Sequence, residues 1–167
     1  IIVGETFAVD VLFTDLRNPA NPQAVFTAYA DIMFDPSLLR VDQIVYDSDY
    51  SQAQTGQIDN ILGLVDEVGG NSASISPPPA HSRVFTLMVT ALAQGTAVLT
   101  ADVGDLTLSE IIVYGDETDQ RPFTEFGNLD IFIANLPDLI SQSLDVVSDD
   151  VPGGRSDVSF TIANTGS

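Results

Sequence analysis

Hard oxygen ligands are the one chemistry this sequence offers in quantity. The chain carries 24 Asp and Glu against five Arg, with no Lys, no Cys and a single His, so calcium held by clustered loop carboxylates is the first chemistry to weigh. Asp47-Ser48-Asp49-Tyr50-Ser51 reproduces the first three ligand positions of an EF-hand loop, but Gln52 stands where that loop needs glycine. An EF-hand is therefore not expected. Gly115-Asp116-Glu117-Thr118-Asp119 makes a better generic calcium loop, with Asp116, Glu117 and Asp119 as ligands, and Asp102 with Asp105 forms a second candidate. Asp66-Glu67 and Asp149-Asp150 are weaker pairs. Each competes with the plainer reading of a solvated acidic loop, on a surface tuned to a salty medium.

Catalytic constellations are missing. His81 follows Pro77-Pro78-Pro79 in an expected loop, with no second histidine for zinc and no nucleophile beside it in sequence. No nucleophile elbow, P-loop or dinucleotide fingerprint occurs. Carboxylate pairs arise by chance in so acidic a chain, which leaves a glycosidase reading without specific support. Zero cysteines exclude disulfides, thiolate zinc sites and thiol catalysis. The expectation is a non-enzyme.

The formal net charge of -19 also limits the partners. A polyanion is repelled and finds no basic stripe, which excludes nucleic acid, and anionic lipid surfaces are disfavoured for the same reason. No apolar run approaches the roughly 18 residues of a membrane span, so no membrane insertion is expected. The chain opens on Ile1 rather than Met, as a mature product or an excerpt would.

A protein partner is the remaining class, and the residues to watch are Thr27, Tyr29, Asp31 and Met33, joined by Thr86, Met88 and Thr90. Tyrosine and methionine on a solvent-facing strand can anchor a partner; the alternative is that loops or the tail cover this row. Sugar binding has weaker support, because there is no tryptophan and most aromatics fall on presumed core faces.

These side chains must be positioned by strands, since period-two alternation recurs and no sustained 3.6-residue stripe appears. Phe7, Val9, Val11 and Phe13 alternate with Thr6, Ala8, Asp10 and Thr14. After the turn-rich stretch Asn18 to Pro22, Phe26, Ala28, Ala30, Ile32 and Phe34 oppose the Thr27 to Met33 row. Leu38 to Val45 follows as a strand, Asp47 to Gly56 as a polar loop, and Ile58 to Val68 as further alternation ending at Gly69-Gly70. Ser76 to Ser82 reads as an irregular connection, then Val84 to Leu92 and Thr96 to Val103 as a tight hairpin through Ala93-Gln94-Gly95. Ile111 to Tyr114 and Leu129 to Ala134 close a block of about nine strands, which implies a sandwich or jelly roll. Beyond Leu136-Pro137-Asp138, Leu139 to Val147 and Val158 to Ile162 flank the turn residues Asp149 to Gly154. Two strands cannot bury a core alone. This tail must dock, pair with another chain, or open a second domain.

Read in order, Val3-Gly4-Glu5-Thr6-Phe7-Ala8-Val9-Asp10-Val11, Phe34-Asp35-Pro36-Ser37-Leu38-Leu39, Phe85 to Ala91 with Gly95-Thr96, and Gly127-Asn128-Leu129-Asp130-Ile131 resemble a cohesin-type domain over residues 1–135. The resemblance implies an all-β, nine-strand jelly-roll β-sandwich, followed by a two-strand appendage over 136–167. Family members bind dockerin modules non-covalently through one sheet face, and related domains occur in large bacterial surface proteins. In the tail, Pro137-Asp138-Leu139, Val151-Pro152-Gly153-Gly154 and Val158 to Gly166 are similar to the start of an immunoglobulin-like adhesion-related domain. Both likenesses imply a secreted or cell-surface location.

The function expected is that of a non-catalytic structural and protein-interaction module in a surface assembly. In it, Val158 to Ile162 could add to a sheet edge of another copy and build a fibre. A dockerin-binding scaffold receptor and a carbohydrate-binding module stand beside that reading.

Overall fold

In a computed structural model, residues 1–17, 20, 23–72, 81–105, 110–116, 118–136, 139–148 and 156–164 are described. Glu117, the prolines before His81, the turn Asp149 to Gly154 and most of Asn18 to Pro22 lie outside them. The chain divides into two units, Ile1–Ala134 and Asn135–Ser167.

The first unit holds nine strands: β1 (Thr6–Thr14), β2 (Val25–Met33), β3 (Leu39–Tyr46), β4 (Gln52–Asp59), β5 (Leu64–Asn71), β6 (His81–Ala91), β7 (Gly95–Val103), β8 (Ile111–Val113) and β9 (Asn128–Ile133). They form two antiparallel sheets, one ordered β1-β6-β3 and the other β4-β5-β2-β7-β9, with β8 pairing β2. The all-β, nine-strand sandwich expected from the sequence is what the structure shows. In the second unit β10 (Leu139–Ser148) and β11 (Ser156–Asn164) pair antiparallel as a two-stranded sheet.

The core lies between the two sheets. Leu39, Val41, Phe85, Leu87 and Val89 come from one sheet and Ala28, Ala30, Ile32, Val65, Val68, Ala97, Leu99, Ile131 and Ile133 from the other. Alternation places these side chains inward, and their removal from water is the main term holding the sheets together. Tyr50 sits in the same core, fully buried, and its hydroxyl donates to the Val25 carbonyl at 2.9 Å. Burial pushes that phenol up to about 12.

Four expectations need correction. Ala93-Gln94-Gly95 is not a hairpin, because β6 and β7 belong to different sheets and the chain crosses the sandwich at this link. The polar stretch Asp47 to Gly56 is not all loop: after a single 3₁₀ turn at Ser48–Tyr50 it becomes β4, an edge strand whose outer surface is wet and so carries no apolar signal. Gly69-Gly70 lies within β5 rather than ending it. A Cβ on Gly69 would come 1.9 Å from the Ala28 carbonyl oxygen, so the bare backbone is what lets β5 approach β2 opposite Tyr29. His81 opens β6 opposite Thr14 instead of lying in a loop.

Bulges retune the faces. The register of β2 shifts between Val25 and Thr27, which turns Val25 into the core and leaves Phe26 to meet Tyr114 edge-on, centroids 5.3 Å apart. Another shift lies between Ala30 and Ile32, where Asp31 accepts the Glu67 backbone N–H at 2.8 Å. Asn60 pins the irregularity after Val41 by bonding both its N–H and its carbonyl at 2.9 Å.

Tyr50→Phe keeps the shape and strands the buried Val25 carbonyl without its donor. Chemical denaturation should show a loss of about 1–3 kcal/mol, whereas Tyr46→Phe, at a half-buried site, should lose less.

Candidate functional site

The residues singled out for partner binding divide between the two outer faces of the sandwich. Thr27, Tyr29, Asp31 and Met33 lie on β2, in one sheet, and Thr86 and Met88 on β6, in the other. The reason is the crossing between β6 and β7, which the hairpin reading hid.

On β2, exposure rises along the strand. Thr27 is buried, Tyr29 and Asp31 are half-buried, and Met33 is 41% exposed. Tyr29 has its hydroxyl 2.6 Å from the Ala53 carbonyl and 3.2 Å from Asn71 Oδ1, so it ties β4 and β5 to the sheet centre. Asp31 is spent on the Glu67 bulge, and burial, with Asp66, Asp105 and Asp102 around it, pushes its carboxyl up. Met33 stands opposite Leu64 on β5 and Thr100 on β7. Farther along the same sheet, exposed Val98 and Phe132 continue an apolar strip. The signal for Phe132 was present in the parity of β9, since buried Ile131 and Ile133 force it outward with Asp130.

The opposite face carries a polar ladder, with Leu12 and Val45 exposed on its edge strands. Thr86 Oγ1 donates to Asp10 at 2.6 Å, Thr90 Oγ1 donates to Asp42 at 2.5 Å, and Thr6 meets Thr90 at 2.7 Å. Arg83 reaches Asp47 at 2.9 Å and Asp10 at 3.5 Å. Met88 sits among these satisfied groups.

The calcium candidates separate too. Asp116 accepts from Arg17 at 2.7 Å and from Thr118, and Asp119 is held by Arg121 at 2.9 Å. Hydrogen bonds from Thr118 and Arg17 lower the Asp116 carboxyl, and Arg121 lowers that of Asp119. Arginine thus supplies the countercharge at both. Asp102 accepts the Val103 N–H at 2.7 Å, and the Asp105 N–H donates to Glu67. Among the described residues no group of three or more Asp, Glu, His or Cys converges on a point.

Two buried networks escaped the sequence reading. Asp15 takes three bonds from Arg17 and one from the Gln23 N–H, while Arg17 also reaches Gln120 at 3.1 Å. Chiefly through Arg17, the Asp15 carboxyl is lowered to about 2. Glu110, 1% exposed, accepts from Arg121 at 3.3 Å. The legible signal was spacing: Asp15 and Arg17, Arg40 and Asp42, and Asp119 and Arg121 each stand two residues apart.

Comparison with solved structures bears on this geometry. The chain is similar to one in the crystal structure of a CaDoc0917–CaCohA2 complex at pH 5.5, a cohesin–dockerin pair. The TM-score is 0.55 at 18% identity, over 80% of this chain and 92% of that one. The fold is cohesin-like. No protein-family model matches the chain, and no curated protein does. The cohesin-like sandwich therefore rests on shape and strand order, with little shared sequence behind it.

Asp15 sets an acid limit on this sandwich. Its folded carboxyl titrates near 2 and an unfolded one near 4, so the unfolded state binds the proton first. Stability is whole above about pH 4 and falls as pH drops through 2 by roughly 2 kcal/mol. Denaturant midpoints measured from pH 6 to 2 should show a shallower fall for Asp15→Asn, which starts from a lower plateau.

Proposed function

We propose that the cohesin-like sandwich is a non-catalytic protein-interaction module of a secreted or cell-surface assembly, and that its partner docks on the outer face of the β4-β5-β2-β7-β9 sheet. The observation that carries this is the strip formed by Leu64, Met33 and Val98. These apolar side chains lie on a solvent-facing sheet of a chain with net charge -19. Flat strips of this kind supply anchor contacts, and the acidic residues beside it, Asp66 and Asp102, form a polar rim that favours a neutral or basic partner.

The opposite face has its polar groups already paired with one another, so it offers a partner less. The structural neighbour's occurrence in a complex with a dockerin supports the more specific form, in which the partner is a dockerin-type, calcium-loaded helix pair. No helix among the described residues is long and apolar enough to cross a membrane.

Immobilised protein is to be tested against a panel of dockerin modules, with calcium and with chelator, and against proteins from a culture supernatant. Met33→Lys and Val98→Lys should weaken the captured partner by about 2 kcal/mol, roughly thirtyfold. Met88→Lys, on the other sheet, should change it less than about threefold. The reverse pattern sinks the assignment of the face, and capture that survives the chelator sinks the dockerin form.

A further inference from the structure

The turn joining β4 to β5 carries two side chains that its own construction does not use. Asp59 Oδ1 accepts the Ile61 and Leu62 N–H groups, each at 2.9 Å, and the Gly63 N–H closes the turn on the Asp59 carbonyl at 2.9 Å. Gly63 takes φ 72, and a Cβ there would stand 2.1 Å from the Phe34 carbonyl oxygen. Local geometry therefore accounts for Asp59 and Gly63. Positions 61 and 62 lend the turn only their N–H groups, and polar residues are the usual choice at such places. They hold Ile61, 90% exposed, and Leu62, 72% exposed, of which Ile61 is the most exposed large apolar side chain among the described residues.

The pair stands on a rigid base. The Asn60 amide, bonded to both backbone groups of Val41, ties the turn to β3 in one sheet, and the Gly63 carbonyl, accepting the Phe34 N–H at 2.8 Å, ties it to the end of β2 in the other. Backbone bonds also close the neighbouring segments at this end of the sandwich. The Leu92 N–H donates to the Leu38 carbonyl and the Gly4 N–H to the Ala91 carbonyl, both at 2.8 Å. Ile2 bridges Ala134 in parallel, through the Val3 N–H on the Ala134 carbonyl at 2.9 Å and the Ala134 N–H on the Ile1 carbonyl at 3.0 Å. Ile61 and Leu62 are thus held out as a fixed knob, with little backbone freedom left to lose on binding.

Continuity and charge say what fits the knob. Leu64 follows Leu62 by two residues and stands opposite Met33, so the knob carries the apolar strip of the docking face round its edge. A protein seated on that strip meets the turn on its flank. The knob is convex, and close packing at an interface then requires a recess in the partner. A second copy would set one net charge of -19 against another, and an anionic lipid surface is repelled alike.

We propose that Ile61 and Leu62 are the specificity anchor of the docking face: the neutral or basic protein that covers the Met33 strip also encloses this knob in an apolar recess. The inference rests on the docking face proposed for the outer sheet and names what its partner must possess. A flat strip gives contact area to many binders. A knob at one fixed position admits those with a matching recess and excludes the others by collision.

The probes are the dockerin modules of the panel and each protein purified from the supernatant capture. Calorimetry compares the unmodified full chain with Met33→Lys, with the pair Ile61→Ser and Leu62→Ser, and with the conservative pair Ile61→Val and Leu62→Met. The serine pair should weaken binding by at least about tenfold, and the conservative pair by less than about threefold. Binding that Met33→Lys weakens and the serine pair leaves intact overturns the knob while the face stands. Loss in the serine pair without loss in Met33→Lys overturns the face and the shared footprint with it. Absence of any binder overturns both. Self-association in sedimentation that the serine pair abolishes assigns the knob to a second copy, and retention on phosphatidylcholine vesicles that it abolishes assigns it to lipid; either result overturns the protein partner.

Discussion

The first unit depends on one strand being covered on three sides. β6 pairs with β1 on one edge and β3 on the other, and it turns Phe85, Leu87 and Val89 fully into the space between the sheets. No other strand of its sheet is bonded along both edges. Once β6 is buried there, the chain after Ala91 has to cross to the other sheet, because no free edge beside β6 remains for a hairpin partner. That crossing carries β7 to β2 and β9 and separates Met33 from Met88. The pairing of β6 along both of its edges thus decides which side chains share a surface.

Charge is managed by the same economy. With so few cations, the fold places Arg17, Arg40, Arg83 and Arg121 each against at least one carboxylate. Exposed pairs of this sort contribute little individually. Asp15 and Glu110 differ, since each is almost entirely buried and an unpaired carboxylate there would be expensive. Arg17 and Arg121 are therefore structural: Arg17 joins Asp15 to Asp116 and Gln120, and Arg121 ties Glu110 to Asp119 within one segment. The surface left over is acidic, and apolar side chains interrupt it at the strip beside Met33 and also at Leu16, Ile61, Leu62 and Phe123.

Legibility followed the contrast between wet and dry sides. β1 could be read directly, because Phe7, Val9, Val11 and Phe13 recur at every second position, and in sequence β11 shows Val158, Phe160 and Ile162 in the same rhythm. β4 could not, since Gln52 to Gln57 are all exposed and such an edge strand looks like a loop in composition. Nor could the faces of β2 be read throughout: bulges change the parity of side chains without leaving a residue-type signature, so Val25 rather than Phe26 reached the core. Of the candidate site, Met33 was visible and Val98 and Phe132 were passed over, although the parity of β9 pointed to Phe132. The separation of Thr86 and Met88 from Met33 is long-range topology, which no local pattern encodes.

The bridge between Ile2 and Ala134 also sets how this unit bears load. Its two segments run the same way, so tension applied at Ile1 and at Ala134 pulls them in opposite directions along their common axis. The bonds joining Ile1 to Phe132, Ala134 to Ile1 and Val3 to Ala134 are then stressed together, in shear, instead of opening one after another like a zip. A module strung in a line of others would meet force with its strongest geometry first. The segments at Ile2 and Ala134 would act as the clasp.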